Sequence, residues 1–130
     1  AGEAASVQWT IAALNSIEMV TVPWWFLKMT GAENDGLTGW LGQRLAHMER
    51  VLGEREWLAA GRFTVADLLM ADVLRVAKVR AFGHRPATEA YVTRITDRPA
   101  FKKARADQLA HFAAADQKRA EGRKRAKERS

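Results

Sequence analysis

The side chains in this sequence that could do chemistry are few and scattered. The three histidines, His47, His84 and His111, stand apart, with no carboxylate at metal-ligand spacing, so no metal site is expected. The chain has no cysteine, which excludes a thiolate nucleophile, a thiolate metal site and a disulfide scaffold. No glycine-rich phosphate loop is present, and no Ser–His–Asp set can be argued. No residue of the chain is therefore assigned a catalytic role. The most suggestive polar pair is Thr64 and Asp67, three residues apart at the head of an apolar run, with Phe63 before them and Leu68 behind. That spacing is a capping box: the Thr64 hydroxyl accepts from the N–H of Asp67, and the Asp67 carboxylate accepts from the N–H of Thr64. Phe63 against Leu68 is the accompanying hydrophobic staple, so the expected role of all four is structural. Asp72 is expected to pair with Arg75 or another basic neighbour.

Charge is the second chemical feature. The net charge is +6, but residues 118–130 hold seven basic side chains against two acidic ones. The other 117 residues hold 14 basic and 13 acidic side chains and are nearly neutral. The basic character thus belongs to a tail, which reads as a solvated, salt-screened terminus. The tail has no aromatic residue on which a base could stack, and no nucleic-acid partner is expected of it. The domain organisation expected is a helical domain over 1–117 and a basic C-terminal tail over 118–130.

The elements that would position these residues all read as helix. At 130 residues and 48% hydrophobic content the chain is ordinary for one domain with one core. Val7, Ile11, Leu14 and Ile17, with Trp9, Ala13 and Val20 alongside, form a broad stripe at helical spacing. Pro23 places a kink or an end near it, and Trp24 to Met29 resumes the helix before Thr30 and Gly31. A second helix after Asn34 and Asp35 carries Leu37, Leu41, Leu45, Met48 and Leu52 on one face, with Gly53 just past its end. Trp57 and Leu58 anchor a connector closed by Gly61. Val65 to Phe82 is apolar on most sides, with Asp72, Arg75 and Lys78 as a narrow polar strip, so it must be nearly surrounded. Pro86 and Pro99 sit at first-turn positions of two further helices, one with Tyr91, Val92 and Ile95 inward, the other carrying Phe101, Ala104 and Leu109. The fold class is all-α, an array of about five helices around a central buried helix at about 64–82. The longest apolar stretch, Met19 to Leu27, is too short to span a bilayer, and the start of the chain has no basic signal-peptide pattern. A cytoplasmic protein is expected.

Three segments carry a family resemblance. Gly61 to Leu74 resembles the capping-box segment of the C-terminal helical domain of glutathione S-transferases. Tyr91 to Arg94 with Arg98 to Ala104 resembles that domain's penultimate turn and last core helix. Trp9 with Leu14 to Glu18 resembles its first long helix as seen in bacterial members. The three occur in order and cover roughly residues 3–113.

The resemblance implies the helical half of a longer protein, whose thioredoxin-like N-terminal domain is the missing partner. In the family that domain holds glutathione, the co-substrate, and supplies the group that stabilises its thiolate; this chain is expected to hold no cofactor and to be inactive alone. The family's helical domain contributes a wall of the electrophile pocket and a dimer face, and the parent is expected to be a homodimer. By position the resemblance points to Asn15, Ser16, Glu18, Met19, Val22, Trp24 and Trp25 as pocket residues, each open to a packing or solvated role instead. Some bacterial members carry basic residues near glutathione at the places of Glu18 and Met19, where this sequence has an acid and a thioether. The alternative is a non-catalytic interaction or scaffolding module, as in translation factors that carry the same helical domain.

Overall fold

The computed structural model of the chain describes residues 2–32, 34–76 and 82–128. Five helices and no strand are present among them. The first is continuous from Gly2 to Met29, made of α1 (Gly2–Ala12), a π-helical turn (Ala13–Glu18) and α2 (Met19–Met29). Then come α3 (Asp35–Glu54), α4 (Val65–Leu74), α5 (Pro86–Thr96) and α6 (Pro99–Glu128). The chain divides into two compact units, Ala1–Ile95 and Thr96–Ser130.

In the first unit, α1 packs against α4, the π-helical turn against α4 and α3, and α2 against α3. The first helix buries Ala13, Ile17, Val20 and Trp24 at successive helical turns, and α3 buries Leu41, Leu45, Met48 and Leu52. Ala66, Met70, Ala71 and Leu74 of α4 and Tyr91, Val92 and Ile95 of α5 complete the core. Each large side chain sealed in this way stabilises the fold by about 1.5–3 kcal/mol relative to exposure.

Four expectations are corrected. The inward face of the first helix excludes Val7, Ile11 and Leu14, which are 54%, 53% and 40% exposed. Two apolar stripes share that helix, and only the one centred on Ala13 and Ile17 meets α3 and α4. Of the kink or end expected near Pro23, the end is excluded, because the proline lies inside α2. The irregularity falls upstream, where the N–H of Met19 reaches the carbonyl of Leu14 across a widened turn. Met19 is the residue whose carbonyl the proline ring crowds and leaves without an N–H, so the departure from α geometry abuts the place where the proline demands it. Gly53 is inside the last turn of α3 and takes no left-handed conformation, because the chain leaves through an extended Arg55. Val65 and Leu68 show that α4 is covered on part of its circumference only, since both are exposed. The helix ends at Leu74, with the Arg75 and Val76 N–H groups bonded to Ala71 and Val73. Its expected continuation runs into residues 77–81, Lys78 included, which lie outside the described residues.

The second unit is dominated by α6, thirty residues long and helical through Lys118 and the basic segment to Glu128. At 1.5 Å per residue it is a rod of about 45 Å. Phe101 is half-buried, whereas Ala104, Leu109 and Phe112 are exposed. Short ion pairs, Lys102 to Asp97 at 2.9 Å and Lys103 to Asp107 at 2.6 Å, decorate its first turns.

Candidate functional site

Polar side chains converge at three places in the first unit. One surrounds Asp67, which is fully buried. Its Oδ2 accepts from the N–H of Thr64 at 2.8 Å and from the Thr64 hydroxyl at 3.1 Å. Its Oδ1 accepts from the N–H of Leu58 at 2.9 Å and from the Tyr91 hydroxyl at 2.9 Å. Asp67 therefore ties the connector and α5 to the head of α4, two partnerships that three-residue spacing does not reveal. Burial, with the adjoining Asp67 charge and hydrogen bond, drives the Tyr91 hydroxyl far above its ordinary pKa of 10.0, so it is a fixed donor. Phe63 meets Trp57 edge-on at 5.7 Å between ring centroids, and Arg94 covers the other ring of that pair while bonding the carbonyl of Glu56.

A second convergence is Glu49, on the polar side of α3. Its Oε1 accepts from the N–H of Ala87 at 2.9 Å, and its Oε2 accepts from the N–H and hydroxyl of Thr88 at 2.9 and 2.7 Å. Partial burial pulls this carboxyl up, but the Thr88 and Ala87 donors and the Arg85 charge outweigh that, and it lies below its ordinary 4.5. Glu49 caps α5 from 38 residues away, a role local sequence reading has no means to find.

The third region is the first helix. Trp24 is 6% exposed: its ring tilts against Phe82 at 4.9 Å, its Nε1–H donates to the Thr38 hydroxyl at 3.0 Å, and the Lys28 ammonium lies over it at 5.3 Å. It is placed in the packing between α2 and α3. Met19, Val22 and Trp25 are exposed, together with Phe26 and Met29. Since Met19, Val22, Phe26 and Met29 recur at intervals of three and four, they share one helical face. Asn15 and Glu18 are exposed, and Ser16 is half-buried on another side, where it lines a cleft with Arg44 and His47. The seven residues singled out by position thus separate into an outward apolar face (Met19, Val22, Trp25), the buried Trp24, the cleft-lining Ser16 and the exposed polar Asn15 and Glu18. No group of three or more metal-ligating side chains forms among the described residues. No helix among them is long and apolar enough to cross a membrane.

The helical order, the buried segment after Thr64 and the Asp67 hub define an all-helical domain among the described residues. The family model described as "Glutathione S-transferase, C-terminal domain" matches residues 33–99, and the chain belongs to that family. A comparison with curated proteins found no match.

Proposed function

We propose that this chain is the helical half of a glutathione transferase, supplying an apolar wall of the electrophile pocket and part of a dimer face. The observation that carries this reading is the outward apolar face of the first helix, Met19, Val22, Trp25, Phe26 and Met29. A contiguous exposed patch of this kind marks an interaction or ligand surface, and thioether and indole groups suit a soft, aromatic electrophile. On this reading glutathione is the co-substrate of the parent protein, and its thiolate is stabilised by the thioredoxin-like half. A cytoplasmic setting and a homodimer belong to the same proposal. On this reading the group that activates the thiol, a contribution worth several kcal/mol in such reactions, is supplied by the other half. Incubated with glutathione and an activated aryl halide, the chain alone should release halide no faster than a blank. Turnover well above the blank would falsify the assignment of the chemistry to the other half.

A second reading, a non-catalytic scaffolding module, is favoured by α6. Lys118, Arg119, Arg123, Lys124, Arg125 and Lys127 are all exposed on one unbroken helix. If these cations meet an RNA backbone, the log of affinity should fall steeply with log salt, by about 0.7 per phosphate neutralised on single strands. Removing residues 118–130 should then abolish binding. No RNA binding at low salt eliminates this reading.

A further inference from the structure

We propose that the cleft between the first helix and α3 is a binding site for a small aromatic carboxylate. It goes beyond the transferase reading, because the cleft is separate from the outward face of α2. Its volume is about 190 Å³. A cavity of about 150 Å³ accommodates a benzene ring, so there is room here for one ring and its substituent. The floor is the buried trio Ile17, Met48 and Met70, and the half-buried Trp9 forms one wall. Two thioethers and an indole adapt to a planar ring and attract it at its edge and face.

The rim has the opposite character. Arg44 and His47, one helical turn apart on α3, line the same cleft, and no carboxylate is among its lining residues. Neither is engaged in an ion pair among the described residues. The Arg44 guanidinium lies over the Trp40 ring at 5.6 Å, which restrains it at the rim. A guanidinium fork matches the two oxygens of a carboxylate, and a ring N–H of His47 adds a donor in either tautomer. The ligand class follows from this pairing of an apolar, ring-sized floor with a cationic rim. Ser16 and Ile17 belong to the π-helical turn, and such turns are frequent at functional sites because they displace side chains from ordinary register.

Phenylacetate is the probe, with neutral phenylacetamide as its control. Titrated into the ¹⁵N-labelled chain, phenylacetate should shift the Trp9 indole N–H and the amides around Arg44 and His47 saturably. Phenylacetamide should bind at least fivefold more weakly. Arg44→Gln should weaken phenylacetate at least fivefold and leave phenylacetamide unchanged, and His47→Gln should weaken the acid at least twofold. Both side chains are exposed, so the variants should keep the parent's far-UV circular dichroism. The proposal is overturned by no saturable shift at Trp9, or by equal binding of the acid to Arg44→Gln. Shifts confined to Val22, Trp25 and Phe26 also overturn it, and would leave the transferase reading standing.

Discussion

Asp67 and Glu49 are both carboxylates that receive backbone N–H groups, and their environments give them different consequences. Asp67 is fully buried with four hydrogen bonds, so Asp67→Ala leaves Leu58, Thr64 and Tyr91 donors facing a void. At about 1–3 kcal/mol for each stranded buried donor, the loss should exceed about 3 kcal/mol in urea unfolding. Tyr91→Phe removes one donor and leaves the carboxylate with the others, so about 1–1.5 kcal/mol is expected. The tyrosine also carries a sign. Its folded pKa is raised above the ordinary 10.0, so its contribution is complete below that pH and declines as pH rises beyond it. Alkaline unfolding profiles of the parent and Tyr91→Phe should therefore converge above pH 10. Glu49 runs the other way: its folded pKa is depressed, so its contribution is present above 4.5 and is lost as pH falls below that value. Glu49→Gln should cost about 0.5–2 kcal/mol at neutral pH, as for loss of a helix cap, and should flatten the acid limb of stability against pH. A Glu49→Gln limb as steep as the parent's would assign the acid sensitivity elsewhere.

At the scale of elements, local signals located most of the helices and long-range packing selected their faces. Asn34 stands at the head of α3, its Oδ1 accepting the N–H of Leu37 at 2.8 Å, and the proline starts of α5 and α6 fall where first-turn prolines belong. The head of α4 is where a local test is sharpest. Thr64→Ala removes the hydroxyl from Asp67 while keeping the backbone N–H bond, and a loss of about 0.5–2 kcal/mol is expected from the melting midpoint. An unchanged midpoint would take the capping role from Thr64. The first helix shows the limit of periodicity. Val7, Ile11 and Leu14 recur as regularly as Ala13, Ile17 and Val20, so spacing alone could not distinguish the covered stripe from the open one. The π-helical turn had no local signature beyond the proline that follows it, because an i→i−5 bond depends on what the widened turn packs against.

For the molecule as a whole, Met19, Val22, Trp25, Phe26 and Met29 give the first helix an exposed apolar stripe. If it is part of a dimer face, the chain should self-associate with concentration in sedimentation experiments, and Val22→Glu with Phe26→Glu should hold it monomeric without loss of helicity. A parent that stays monomeric at the highest concentrations would remove the dimer-face reading of the stripe. What the amino-acid order determined by itself is local: helix periodicity, caps three residues apart, prolines at first turns, the absence of cysteine and the concentration of positive charge beyond residue 117. Those features act through hydrogen bonds and sterics within a turn or two, and three family segments in order were enough to identify the domain. The tertiary structure decided the rest: which stripe of the first helix is covered, that Glu49 holds the head of α5, that Leu58 and Tyr91 meet on Asp67, and that Arg44 and His47 share a cleft with Trp9. Each of these joins residues far apart in the chain, and only packing, which buries one apolar face and leaves its equal in solvent, chooses among partners that sequence spacing leaves equivalent.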